Sequence, residues 1–202
     1  VSNCSISRIF TLIILIGILF SSVNIAKGKD MSATKKVLMI IAHQNFRDEE
    51  YSKPRMILEN AGFEITVASS SLDTCTGTLG SKVKPDILLS GVDVTTFDCI
   101  IFIGGTGASE YFNNPQARAI ARQTVNSDKI LAAICIAPVT LANSGVLQQK
   151  RVTSFPSVKK DLEQHGAIYT GKGVEVDGNI ITANGPQSAQ EFGEQILNAL
   201  TK

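Results

Sequence analysis

Cys135 stands in the stretch Ala132-Ala133-Ile134-Cys135-Ile136-Ala137-Pro138, with small alanines two residues before and two after it. A buried apolar run ends at this cysteine, and a helix opens at Pro138. A small-x-nucleophile-x-small pattern at such a junction is the steric signature of a nucleophile elbow, where the backbone turns so sharply that only small neighbours fit. A thiol there also feels the positive end of the following helix, which is expected to lower its pKa and raise its thiolate fraction. The plainer alternative is that Cys135 merely ends a core strand.

Two further segments could serve that thiol. Gly104-Gly105-Thr106-Gly107-Ala108 follows another apolar run. A dinucleotide fingerprint begun at Gly105 would need a third glycine where Glu110 stands, so this is a poor nucleotide loop. Glycines after a strand also let backbone N–H groups approach a substrate oxygen. The Gly105 and Ile136 amides would then form an oxyanion hole, unless the loop is a plain turn. The other segment is Phe46-Arg47-Asp48-Glu49-Glu50-Tyr51. Asp48 and Glu49 suit a helix N-terminus for dipole reasons alone. Glu50 lies one turn in, where it would either be solvated or face the sheet end. A carboxyl buried there would stay protonated and donate to a nearby thiolate. The chain has two histidines. His43, at the end of the first apolar run, is a candidate base on topology, with a structural role as the alternative, and His165 reads as a solvated helix-end residue.

These residues need elements to hold them. The apolar runs KVLMIIA (36–42), FDCIIFI (97–103) and KILAAIC (129–135) have the continuous pattern of strands buried on both faces. FEITVAS (63–69) reads as a further strand, and residues 70–93 as a small hairpin or arm. Helices are expected over 47–60, over 113–127 with Pro115 in the first turn, over 138–145, over 157–166 and over 188–202. A short strand falls at 150–155, and turn-linked strands fall within 167–183. This alternation implies an α/β domain, an open and mostly parallel sheet with helices on both faces. Ligands of such folds bind outside the carboxyl ends of the strands. The loops that matter are therefore 43–50, 104–111 and 135–139.

The 202 residues suffice for one domain, and 44% hydrophobic with 18% charged residues is a globular composition. A net charge of +1 with no basic block argues against a nucleic-acid partner. The four cysteines, at 4, 75, 99 and 135, show no CxxC or CxxH spacing, so neither a metal site nor a cofactor is expected. Cys99 reads as a small buried hydrophobe, and Cys75, in the polar stretch SLDTCTGTLG, as incidental. Residues 1–30 read as a leader and 31–202 as the domain. IFTLIILIGILF (9–20), preceded by Arg8 and followed by Ala26-Lys27-Gly28, has the pattern of a secretory signal. Cleavage there would remove Arg8 and Lys27 and shift the charge from +1 to −1. The chain would then be exported, periplasmic or secreted. Left uncleaved, the segment would be the only membrane attachment. A start at Met31 would instead leave the protein cytoplasmic.

The ordered set KVLMIIA, FRDEEYSKP, AGFEITVAS, FDCIIFIGGTGASEYF, KILAAICIAPVTLANSGVL, RVTSFPSVKKDLEQHGA and ITANGPQSAQEFGEQIL resembles the DJ-1/PfpI superfamily, also called ThiJ/PfpI, over residues 36–200. The resemblance implies a three-layer αβα sandwich of the flavodoxin-like, class I glutamine amidotransferase-like kind. It makes Cys135 the elbow cysteine and Glu50, four residues before Pro54, the acid that contacts it. Gly105 and Ile136 would supply backbone amides. His43, Gly104, Thr106, Phe155, Gly185 and Pro186 would border the pocket. The chain departs from the family pattern twice: Ile136 stands where protease-like members have histidine, and Phe155 where the DJ-1 branch has one. The resemblance implies a small-molecule electrophile or oxidant as partner, and a homodimer. It suggests glyoxalase- or deglycase-type action on reactive carbonyl compounds. The alternatives are a stress-protective protein in which Cys135 oxidises to sulfinate, and a peptidase or amidase, which Ile136 disfavours.

Overall fold

The computed structural model describes residues 34–202, so the expected leader and Cys4 lie outside the described residues. In chain order the first elements are β1 (Lys36–Ile40), β2 (Gln44–Phe46), α1 (Asp48–Asn60), β3 (Glu64–Ser69), β4 (Cys75–Gly77), β5 (Lys82–Val83), β6 (Ile87–Leu88) and β7 (Cys99–Phe102). They are followed by α2 (Pro115–Asn126), β8 (Ile130–Ile134), α3 (Pro138–Asn143), β9 (Arg151–Val152), α4 (Lys159–Gln164), β10 (Ile168–Tyr169), β11 (Val174–Asp177), β12 (Ile180–Ala183) and α5 (Ala189–Leu200).

Seven strands form the central sheet in the order β11-β12-β8-β7-β1-β3-β6. Every pairing in it is parallel except β11 with β12. Successive residues of a strand point to opposite faces, so each apolar run feeds two cores. Leu38, Ile40, Ile100, Phe102, Leu131 and Ala133 pack on one face with residues of α2 and α3. Val37, Met39, Ile101, Ala132 and Ile134 pack on the other, with Leu58 of α1 and Phe192 and Ile196 of α5. The result is a three-layer αβα sandwich.

Register decides where the chemistry falls. Ile40 pairs with Phe102 and Phe102 with Ala133, so β1, β7 and β8 end together. The loops after those strands are thereby brought to one edge, where open α/β sheets bind their ligands. Helix α1 is set against α5 by a close approach. A Cβ on Gly193 would lie 2.9 Å from the Pro54 Cα, so only glycine lets the two helices meet there. Asn114 caps α2, its Oδ1 accepting the N–H groups of Gln116 and Ala117, with Pro115 at the first turn.

Two small sheets flank the main one. Residues Gln44–Phe46, read from sequence as loop, form β2 and pair with β4, which forms a hairpin with β5. The run 150–155 contributes only the two residues of β9, which pair with β10 outside the central sheet. Three residues with a left-handed bend at Asn45 (φ 57°) carry too little apolar periodicity to announce a strand.

Candidate active site

The chain turns at Cys135 with φ 64°. A side-chain-bearing residue is strained in that region, and such strain is expected at a nucleophile elbow. The turn is clamped from both sides. The Cys135 N–H donates to the Ala183 carbonyl at 2.9 Å, and the Cys135 carbonyl accepts the Phe155 N–H at 2.8 Å. Cys135 is 9% exposed and lines a pocket.

Glu50 meets this thiol from α1. The helix starts where the Arg47 N–H donates to the Gly104 carbonyl at 2.9 Å, which ties the first and second loops together. Gly104 is required by closeness: a Cβ there would sit 2.5 Å from the Cys135 Cβ and against Glu50 Oε2. Glu50 is fully buried, and neither carboxyl oxygen has a hydrogen-bond partner of ordinary geometry. Burial pushes its pKa up to about 7, against smaller opposing effects of the Cys135 thiol, the Arg47 charge and the Gly104 backbone. Pro54 adds a local feature. It lacks the N–H that would bond the carbonyl four residues earlier, which belongs to Glu50.

The helix dipole alone predicts a lowered thiol pKa at Cys135. The structure reverses the direction. Burial, and then the neighbouring Glu50 charge, push the thiol up to about 12, while the backbone N–H groups of Gly105 and Ile136 pull it down. Burial is the largest cause, and two further features weaken the dipole argument. Helix α3 has only six residues and a correspondingly weak dipole, and an ionised carboxylate beside the sulfur opposes a second negative charge. The two groups are near enough that the charge of one opposes ionisation of the other.

A cavity of about 560 Å³ opens over the pair. Of the residues expected from sequence, Glu50, Gly105, Thr106, Cys135, Ile136, Phe155 and Pro186 line it. Gly104 lies beneath, between acid and thiol, and Gly185 precedes the lining residue Pro186 with φ 149°. His43 is not brought into the lining. Its Nδ1 is 3.9 Å from the Cys75 thiol, because the chain leaves β1 for β2 and the His43 carbonyl accepts the Thr76 N–H. The reading of His43 as a pocket residue or base for Cys135 is therefore corrected. Cys75 is no loop bystander either: it is fully buried, and its thiol donates to Ser69 Oγ at 3.3 Å.

Arg47, Thr78, Ser157, Val158 and Gln187 line the cavity without having been expected there. Arg47 lies in the first loop beside three acids, where residue type alone does not separate a pocket cation from a helix-end ion pair. Its guanidinium forks onto Glu49 at 2.7 and 3.0 Å. Thr78 arrives on the hairpin that Asp48 holds, the carboxylate accepting the Leu79 and Ser81 N–H groups at 2.7 and 2.9 Å. Among the described residues no group of His, Cys, Asp and Glu is arranged to hold a metal ion.

The DJ-1/PfpI family model matches residues 35–199. The chain belongs to the DJ-1/PfpI family. A Pyrococcus horikoshii relative named a deglycase is 34% identical, over 82% of this chain and 99% of its own. A Bacillus subtilis relative with a provisional cysteine-protease name is 32% identical, over 83% of this chain and 99% of its own. The crystal structure of a ThiJ/PfpI domain protein from Brachyspira murdochii superposes with a TM-score of 0.81 at 33% identity, over 83% of this chain and 97% of that one. Within this DJ-1/PfpI domain the site is distinguished by what surrounds the thiol. The residue after the cysteine is Ile136, the aromatic residue lining the pocket is Phe155, and the lining holds no histidine.

Proposed function

We propose that this protein is a cysteine-dependent enzyme acting on small reactive carbonyl compounds, in the manner of a glyoxalase or deglycase. The observation that carries the reading is Glu50: a fully buried carboxyl with two unpartnered oxygens, facing a nucleophile-elbow thiol. A buried acid with its pKa near neutrality suits proton transfer in both directions.

For an α-oxoaldehyde the steps balance within the site. Cys135 passes its proton to Glu50, and the thiolate adds to the aldehyde carbon. The C=O π pair moves to oxygen, which takes the proton from Glu50, giving a thiohemiacetal. The Gly105 and Ile136 N–H groups, which already face the sulfur, stabilise that oxygen as charge develops. Glu50, now a carboxylate, removes the proton from the former aldehyde carbon. The electron pair passes to the neighbouring carbonyl oxygen as an enediolate, which takes the first carbon's hydroxyl proton on that oxygen and then the Glu50 proton at the second carbon, leaving a C=O at the first carbon. The product is an α-hydroxy thioester, which water cleaves to the α-hydroxy acid and free thiol. No external oxidant or reductant is consumed.

Methylglyoxal incubated with the protein should give lactate by NMR, and Cys135→Ala should abolish it. Equal, negligible conversion by both proteins overturns the reading. The sulfinate alternative draws on the same two N–H groups and the same unpartnered carboxyl oxygens, which would hold an oxidised sulfur. Mild peroxide followed by peptide mass analysis tests it: Cys135 must gain two oxygens before Cys75 or Cys99 reacts. Proteolysis is disfavoured because neither Ile136 nor any other lining residue supplies an imidazole.

A further inference from the structure

We infer that the pocket selects carbonyl substrates carrying an aryl substituent, with Phe155 as the specificity-determining residue. This rests on the carbonyl-enzyme reading above and names its substrate class.

The cavity of about 560 Å³ falls in the range of drug-sized ligand sites, ~300–1,000 Å³. An oxoaldehyde of three carbons has five heavy atoms and fills a minor part of such a space, given that one water takes ~30 Å³. Ile136, Phe155, Val158 and Pro186 give the cavity wall an apolar face, beside Arg47, Thr78, Thr106, Ser157 and Gln187, and that face suits an apolar substituent. The polar groups converge at the floor, where Glu50 and the Gly105 and Ile136 amides surround the sulfur. Reacting atoms and substituent are thereby given separate places.

Phe155 is the part of this wall that the fold itself does not explain. Phe155 is 44% exposed and belongs to neither apolar core. Its backbone is nonetheless fixed against the nucleophile, through the N–H that donates to the Cys135 carbonyl at 2.8 Å. An aromatic side chain left partly in water, with its backbone fixed to Cys135 and lining the same cavity, is a surface for a substrate's apolar group to cover. The carbonyl carbon bonds to sulfur in the step already described, and the substituent, which takes no part in that step, stacks on the ring.

The test compares phenylglyoxal with methylglyoxal on wild type, Phe155→Ser and Phe155→Leu. The ratio of the two kcat/KM values should favour phenylglyoxal on wild type. It should fall about tenfold in Phe155→Ser, the order of magnitude for losing an apolar contact in a pocket, and return to within about threefold in Phe155→Leu. A second readout needs no turnover. Mandelate and lactate, the corresponding hydroxy acids, are titrated by NMR into Cys135→Ala with and without Phe155→Ser. Mandelate should bind more tightly, and lose that advantage with the phenylalanine. If neither aldehyde is turned over but mandelate behaves as stated, the carbonyl-enzyme reading fails and the selectivity of the pocket stands. If both aldehydes are turned over and Phe155→Ser leaves the ratio unchanged, the activity stands and the role of Phe155 is refuted. Equal binding of mandelate and lactate refutes it as well.

Discussion

Glu50→Gln isolates the energetic consequence of burying an acid under the pocket. The Glu50 pKa rises from an ordinary 4.5 to about 7 on folding, burial being the largest cause. A raised carboxyl pKa means that the unfolded chain releases its proton first. Below pH 4.5 both states hold the proton and the folded state is under no penalty; between 4.5 and about 7 only the unfolded state ionises, so stability falls as pH rises. At ~1.4 kcal/mol per unit, the loss reaches about 3 kcal/mol once pH exceeds the folded pKa. For a domain of this size that is about 6–12 °C in Tm. Glutamine is isosteric with the protonated acid and does not titrate. Asp48, Glu49, Glu175 and Asp177 are all held low and pull the other way, but both proteins carry them, so their effects cancel in the difference. Urea unfolding of wild type and Glu50→Gln at pH 4 and pH 8 measures it. The variant should gain about 3 kcal/mol relative to wild type on going to pH 8. A difference below about 1 kcal/mol would mean that the carboxylate ionises in the folded protein at little cost, and the reasoning from burial would be wrong.

Three other outcomes follow from the same geometry. Gly104→Ala inserts a methyl between Glu50 and Cys135, and should cost about 1–3 kcal/mol by thermal melting while slowing alkylation of Cys135 by iodoacetamide. Gly105→Ala should cost more, because it adds a φ of 95° to a Cβ 2.5 Å from the Arg47 nitrogen; a melt equal to that of Gly104→Ala would refute this. For Asp48, burial raises the pKa but the hydrogen bonds from Ser81 and Leu79 outweigh it and hold it low. Its contribution is therefore present above the ordinary aspartate range and lost as pH falls, so Asp48→Asn should destabilise by about 1–3 kcal/mol at pH 7 and by less at pH 3 in urea titrations.

Local order settled a good deal. The runs KVLMIIA, FDCIIFI and KILAAIC are apolar on both faces, which suffices for strands of a parallel sheet. The alanines flanking Cys135 reveal a tight turn because that constraint acts within five residues. Asn114 and Pro115 mark the start of α2 for the same reason. The pocket was less legible, since its walls come from segments far apart in the chain. Glu50 differs from Asp48 and Glu49 by position alone, and only the packing of α1 against α5 through Gly193, with the hydrogen bond from Arg47 to Gly104, turns it under Cys135. The path of the chain after β1 likewise carries His43 to Cys75, through pairing with β4 that no local pattern announces. Charge follows burial in the same way. Residue type and helix position suggest a thiol made acidic by a dipole, whereas the tertiary structure surrounds it with apolar walls and a carboxyl group. Sequence thus determined which side chains stand ready for chemistry. Desolvation and through-space contact, which exist only once the layers pack, decided which of them come together.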